Sequence, residues 1–487
     1  DKSDYFKRKY PNVFSDKLGK LKNFELKLHI DKAVKPVIAN PRNKPFHLRK
    51  AIEEQIERKL QLDIIEEVRG EPTEWLSETV VVPKPEGKVR MCTDMKAANV
   101  AIKRERFEMP NVEDIIYAAN GKKFFSKIDL KDAYEQVVLS KESRYISRFR
   151  THSGIFQYKR LFFGINAAPE IFHNLIKRIL IGLEGVQNAS DDVLIMSDSK
   201  EDDRYRCEEV FNRLESNGLT VNSGKCKFCQ NKIEFFGLEL SEKGVSLNEE
   251  KTKALKEFKV PKNASELASF LGLSVYASKW IPNLASMAEG LRKLSTGKER
   301  WNWAPHHQVT FDKIKNTLIK RIGFFKLDWN TELRTDGSPV GLGAELTQTN
   351  PNDDNDKQVI MYISRKLTGP EQRYSQIEIE ALAIVWGCLR LSLYLVGRKF
   401  KIYTDNKALT LILNNPLSKP PARIRGWELR IAHFDMELVH IQGKGNIADF
   451  LSRHPLKEHK DEYDDSEAYI NQVIDFAVPK SVTREEL

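Results

Sequence analysis

Apolar and polar positions repeat at recognisable periods along most of the chain. From Leu48 to Leu62 apolar residues recur at helical spacing among Glu, Arg and Lys, which predicts an amphipathic helix. Ahead of it, Pro36, Pro41 and Pro45 punctuate an extended arm. The β-branched run Thr79 to Pro83, the turn Pro85-Glu86-Gly87 and the stretch Lys88 to Thr93 predict a hairpin. Between Phe124 and Ile195 short strands alternate with helical stretches, so an α+β sheet domain is expected there. Residues 200 to 325 read as mostly helical, with Asp202 to Asn217 and Ala264 to Trp280 as the clearest helices. A hairpin-like piece, Ile233 to Leu247, lies between them and contains Gly237 and Gly244. A fresh β-rich segment opens at Phe324-Phe325-Lys326-Leu327 and runs through Glu345, and strand, helix and strand signals continue to His440. The polar stretch Asn350 to Lys357 is expected to be a hairpin tip. Beyond Pro455 the charged run Lys457 to Glu467 predicts a linker.

Length changes this picture only by requiring several domains, since 487 residues with 40% hydrophobic content can bury more than one core. Charge changes it more. A formal net charge of +10 favours polyanionic partners, nucleic acid before others. No apolar run is long enough to span a bilayer, and Asp1 to Tyr10 is charged rather than signal-like, so no membrane partner is expected. The five cysteines, Cys92, Cys207, Cys226, Cys229 and Cys388, are too few and too scattered for a disulfide framework, which fits a reducing intracellular compartment. Cys226 and Cys229 have CxxC spacing, but no second pair follows at a usable distance, so they are read as thiols rather than zinc ligands.

Acids then supply the candidate chemistry. Lys127-Ile128-Asp129-Leu130 places a carboxylate at the end of an apolar strand, and Ser190-Asp191-Asp192-Val193-Leu194-Ile195 places two more before another. Adjacent acids repel each other unless cations neutralise them, and two hard divalent ions about 4 Å apart are the apparatus of in-line phosphoryl transfer. A lone Asp-Asp pair is usually a solvated turn. A second set follows: Asp336 after Leu333-Arg334-Thr335, Glu380 early in the apolar helix that begins near Tyr374, Asp405 after Phe400-Lys401-Ile402-Tyr403-Thr404, and Asp449 in Gly443-Lys444-Gly445-Asn446-Ile447-Ala448-Asp449.

Flanking residues turn these acids into a pattern. Phe125 to Tyr134, Tyr158-Lys159-Arg160-Leu161-Phe162-Phe163-Gly164 through Pro169, and Ser190-Asp191-Asp192 resemble, in order and spacing, the palm motifs of reverse transcriptases of Gypsy-type long-terminal-repeat retrotransposons. The resemblance runs from about residue 10 to residue 456. It implies that Asp129, Asp191 and Asp192 are a metal-binding triad, with Tyr134 a steric gate under the incoming sugar and Phe163 beside the nascent base pair. Lys84 and Arg90 match cations that grip the triphosphate. Phe236 and Gly237, in Glu234 to Leu240, match a primer-grip hairpin, and Lys279 lies at the end of a stretch, Ser265 to Trp280, similar to the thumb helix along the duplex. Asp336, Glu380, Asp405 and Asp449 match the carboxylate set of ribonuclease H. One position departs from the family: Ala189 stands two before Asp191, where Tyr is usual. His440 is read as structural, and the loop Gly443 to Asn446 lacks the His many ribonucleases H carry.

The implied fold is α+β and multidomain. Fingers and palm are expected over 1–220, primer grip, thumb and connection over 221–325, an α/β ribonuclease H-like domain over 326–456, and a charged linker over 457–487. The implied function is RNA- and DNA-templated extension of a primer with dNTPs, together with hydrolysis of the RNA strand of RNA/DNA hybrids, with Mg²⁺ (Mn²⁺ as the alternative ion) bound two per site. Implied partners are RNA/DNA hybrid and DNA template-primer, and the implied location is cytoplasmic virus-like particles. Tyr10 to Ser15 and Ala477 to Lys480 resemble the junctions with the protease and integrase of a parent polyprotein. A binding protein without synthesis, supported by Ala189, and a pure nuclease are the rival readings.

Overall fold

The computed structural model describes residues 2–83, 89–105, 111–189, 191–296, 300–415 and 418–441. Chain contacts divide it into two compact units, Asp1–Phe235 and Phe236–Leu487.

In the first unit the expected amphipathic helix is Phe46–Gln61, which buries Ile52 and Ile56. The expected hairpin is the antiparallel pair Ser77–Pro83 and Val89–Thr93, with Thr79 opposite Thr93. These strands join a five-stranded sheet with Phe149–Thr151, Gly154–Tyr158 and Ile65–Glu67. The proline-bearing arm is extended and pairs with the body at the single bridge Ile38 to Leu76, after two bridges just upstream of it, Leu26 to Leu139 and Ile30 to Ile102.

A second sheet carries the first acid set. Its strand order is Val186–Ala189, Asp192–Ser197, Phe124–Asp129, Lys227–Gln230, all antiparallel. The last strand comes from beyond residue 220. Val193 to Met196 are fully buried, so this strand reads as a continuous apolar run rather than an alternating one. Helices Ala168–Ile179 and Lys200–Ser216 contribute Phe172, Ile176, Val210 and Phe211 to the same core as Ile128, Val193 and Ile195. Ser199 caps the second of these helices by accepting from the Asp202 amide.

The second unit opens with the hairpin Leu238–Ser241 and Gly244–Leu247. A group of helices follows, among them Ala264–Tyr276, which ends before Trp280 because a short 3-10 turn, Ser278–Trp280, takes over. The remainder is a five-stranded sheet ordered Asp353–Lys366, Gly341–Asn350, Asn330–Ser338, Lys399–Thr404, Asp435–His440. Its first three strands are antiparallel and its last two parallel, with the helix Gln376–Arg390 packed on it.

Two expectations shift here. The β-rich segment starts at Asn330, not Phe324; Phe324 and Phe325 are buried but belong to no strand. The polar stretch Asn350 to Lys357 does form the tip of a hairpin, but mostly as strand rather than loop, since Thr349 pairs with Lys357 and only residues 351–352 turn. The stretch lies on an edge strand, where polar side chains meet solvent and the ladder still satisfies the backbone.

Candidate active sites

The first site grows from the register of two strands. Asp129, the last residue of its strand, stands directly opposite Asp192, the first residue of the neighbouring one. Asp191 adjoins it, and its carbonyl oxygen accepts the Leu130 amide at 3.1 Å. Ala189 pairs with Asp192 across the hairpin and is 2% exposed, so the position where the family usually carries Tyr is here a small, enclosed side chain.

Two lysines answer the clustered charge. Lys127 Nζ lies 2.6 Å from Asp192 Oδ2, and Lys225 Nζ lies 3.5 Å from Asp129 Oδ2. Burial pushes the Asp129 carboxyl above the usual carboxylate range, Lys225 pulls against it, and Asp192 and Asp191 add to the rise. Burial likewise raises Asp192 against the pull of Lys127. Asp192 Oδ1 is shut off from solvent without a hydrogen-bond partner. A buried acceptor in that state is destabilising unless a cation or donor reaches it, which fits a carboxylate shaped for a metal ion. Among the described residues no three His, Cys, Asp or Glu side chains are drawn together into a ready metal cage.

Beneath the acids lies a polar support that sequence reading missed. Buried Ser126 donates to Asp203, 2.9 Å from each carboxylate oxygen, and accepts the Cys229 amide at 2.8 Å. Ser126 precedes Lys127 on the Asp129 strand, so this network fixes that strand against the Lys200–Ser216 helix. Burial and the nearby aspartates push the Cys226 thiol up to about 11, leaving it protonated at neutral pH. All five cysteines are free thiols.

Tyr134 sits in the 3-10 turn Ala133–Gln136 and is 7% exposed. Its ring centroid is 4.7 Å from that of Phe163 and 5.5 Å from that of Phe172, so the two expected substrate contacts, Tyr134 and Phe163, do meet. Phe163 is 57% exposed, an unusual state for a large aromatic packed on a buried one. Lys84 lies outside the described residues. Arg90 is placed by its backbone on the strand Val89–Thr93.

Phe236 and Gly237 belong to the second unit, where both have positive φ, 50° and 72°. The Tyr276 hydroxyl donates to the Phe236 carbonyl at 2.8 Å. A Cβ on Gly237 would come within 2.7 Å of that hydroxyl, so the turn needs glycine twice over, for φ and for space. Lys279 is half-buried in the 3-10 turn that follows the long helix.

The second acid set gathers on the mixed sheet. Asp336 lies near the end of Asn330–Ser338, opposite Gly343. The adjacent parallel strand pairs Arg334 with Tyr403; two residues further along each strand stand Asp336 and Asp405. Glu380 is delivered by the helix Gln376–Arg390, whose first turn is pinned to the strand: Gln376 donates to the Gly337 carbonyl at 2.9 Å and to Glu380 Oε1 at 2.8 Å. A Cβ on Gly337 would meet the Ile379 carbonyl at 2.8 Å, so only glycine allows this approach. The neighbouring Glu378 is spent otherwise, closing a capping box with Ser375 and accepting Arg423 at 2.6 Å. Asp449 lies outside the described residues. His440 ends its strand beside Thr404 and is exposed.

The chain resembles known proteins in two segments. Residues 82–240 match the family profile "Reverse transcriptase (RNA-dependent DNA polymerase)", and residues 326–434 match "RNase H-like domain found in reverse transcriptase". The transposon Tf2-3 and Tf2-4 polyproteins of Schizosaccharomyces pombe are each 32% identical over 404 residues, 80% of this chain. The chain spans about 30% of the length of these relatives. Among solved structures, the foamy viral protease-reverse transcriptase dRH in complex with double-stranded DNA superposes with a TM-score of 0.77 at 19% identity, over 90% of this chain and 77% of that one. The foamy viral protease-reverse transcriptase in complex with RNA/DNA hybrid gives 0.76 at 18%, over 94% and 62%. At such identities the likeness is one of fold. No helix among the described residues is long and apolar enough to cross a membrane.

Proposed function

Because the chain belongs to the reverse transcriptases of Gypsy-type long-terminal-repeat retrotransposon polyproteins and carries their RNase H-like domain, we propose that it extends a primer on RNA or DNA templates and cleaves the RNA strand of the hybrid. The observation that carries this reading is the pairing of Asp129 with Asp192 at adjacent strand ends, with Asp191 alongside.

In this reading, Asp129, Asp191 and Asp192 would hold two divalent ions, Mg²⁺ or Mn²⁺, for the polymerase, and Asp336, Glu380, Asp405 and Asp449 would hold another two for the nuclease. Such ions, when bound, lower the pKa of the attacking hydroxyl or water and stabilise the departing oxygen. The protein's own groups do the rest. Lys127 and Lys225 pull against the burial that raises the palm acids and yield to the incoming charge. Tyr134, braced by Phe172, forms the floor under the sugar, and a 2′-hydroxyl there would clash with its ring. Exposed Phe163 offers a stacking face to the forming base pair. Lys84 and Arg90 draw the triphosphate, Phe236 and Gly237 receive the primer end on closely approaching backbone, and Lys279 meets phosphate.

In domain terms, fingers and palm take the first part of the chain to about residue 220, grip, thumb and connection follow to 325, and the nuclease begins at 326. The natural setting is a polyprotein with protease and integrase neighbours, processed in cytoplasmic virus-like particles.

The test is primer extension on an RNA template with dNTPs and Mg²⁺, with the template labelled separately. The parent is expected to extend and degrade, Asp191→Asn to lose extension alone, and Asp405→Asn to lose degradation alone. Template cleavage without primer growth, even with Mn²⁺, would favour the pure nuclease.

A further inference from the structure

We infer that Asn283, which lies before the nuclease segment in sequence, is a positioning residue for the nuclease carboxylate Asp336. The inference rests on the nuclease reading above. Asn283 Nδ2 lies 3.4 Å from Asp336 Oδ2. Asn283 holds a left-handed backbone, φ 47°, a conformation that L residues other than Asn and Asp rarely take, and it is 8% exposed. Its amide oxygen fills the space over Gly343, the residue paired with Asp336; a Cβ at Gly343 would lie 1.8 Å from that oxygen. Sheet and amide therefore fit each other through a missing side chain.

The neighbouring residues hold this segment in place. The Ala285 amide donates to Ser364 Oγ at 3.0 Å, and the Ser286 and Ser338 hydroxyls are 3.2 Å apart. Thus these three hydrogen-bond contacts tie 283–286 to two strands of the nuclease sheet, Asn330–Ser338 and Asp353–Lys366, and the packing of the Asn283 amide over Gly343 reaches a third. A donor fixed on one carboxylate oxygen holds the rotamer and orients the group toward a cation, the role outer-shell partners play at metal sites.

The experiment uses the full chain carrying Asp191→Asn and Asp192→Asn, so that palm ion binding does not intrude. Three readouts are taken for parent, Asn283→Gly and Gly343→Ala: the Mg²⁺ dependence of RNA cleavage in a labelled hybrid, Mn²⁺ affinity without hybrid from the free-ion EPR signal, and the unfolding temperature. Glycine accepts the left-handed backbone, so Asn283→Gly removes the amide without strain, while Gly343→Ala evicts it without altering Asn283. Both variants are expected to raise half-saturating Mg²⁺ about tenfold, to weaken Mn²⁺ binding in parallel, and to recover most of the cleavage rate at saturating ion. Unchanged ion dependence and Mn²⁺ affinity in both would overturn the inference. So would a rate loss that no ion concentration restores and that tracks a lower unfolding temperature. A parent that binds Mn²⁺ but cleaves nothing would instead sink the nuclease reading, and the Mn²⁺ titration would still decide the role of Asn283.

Discussion

The two acid sets solve the same electrostatic problem with different partners. In the palm, Asp192 and Asp129 are answered by full positive charges, Lys127 at 2.6 Å and Lys225 at 3.5 Å. In the nuclease, Asp336 and Glu380 accept hydrogen bonds from the neutral amides of Asn283 and Gln376. A lysine offsets charge and must move or share when a divalent ion arrives. An amide fixes geometry and stays where it is. In the proposed reading, the first set is thus suited to carry its charge before an ion binds, and the second to present its acids in a set orientation.

The sharpest way to break this contrast is to remove an acid from one set and follow both activities. Asp192→Asn is expected to reduce primer extension by at least about 10²-fold while leaving RNA cleavage intact. Steady-state extension and cleavage rates on one hybrid check it, and equal loss of both would show that the sets do not work separately.

Next in size is the mechanical fit of the nuclease. Gly337→Ala pushes the helix bearing Glu380 off its strand by setting a methyl against the Ile379 carbonyl. An overpacking penalty of about 1–3 kcal/mol is expected in urea unfolding of the second unit. RNA cleavage should fall while extension holds.

The palm's own support gives a comparable effect. Ser126→Ala leaves the buried Asp203 short of a donor, with an expected penalty of about 1–3 kcal/mol. Chemical denaturation of the parent and variant measures it.

A smaller effect carries the clearest sign. Because burial raises Asp129, the folded palm holds a proton that the unfolded chain has already released in the window just above the ordinary carboxylate range. Stability from this group therefore falls as pH rises through that window. At pH 7 Asp129→Asn is expected to raise the unfolding temperature of the first unit. The gain should vanish at pH 3, and Mg²⁺ should stabilise the parent but not the variant. A variant less stable than the parent at pH 7 would mean that Lys225 more than compensates the burial.

Smallest of all is Lys225→Ala. This cation is largely exposed, so salt screens it, and the extension pH profile should move upward by only a few tenths of a unit at low ionic strength.

Much of this was legible in the sequence because period and punctuation carry it. The Phe46–Gln61 helix and the Ser77–Thr93 hairpin follow from spacing, and acids at the ends of apolar strands announced both sets. Edge character was not legible: Asp353 to Lys357 look like a loop because nothing in a polar run reveals that a partner strand lies beside it. Nor were Lys225, Asp203 and Asn283. Each acts on a residue far away in the chain, and a lone Lys, Asp or Asn has no local signature of its distant partner. Between Glu378 and Glu380 the sequence distinguishes weakly, whereas the capping box at Ser375 claims the first for structure.

The stitching of residues 283–286 to the sheet bears on how this chain can be recombined. A graft that exchanges the nuclease at residue 326, where its family profile begins, would import a sheet shaped around a side chain left behind in the donor. Lineages that shuffle this module intact would have to move the join upstream, before Asn283, and the donor's own helical segment would travel with it.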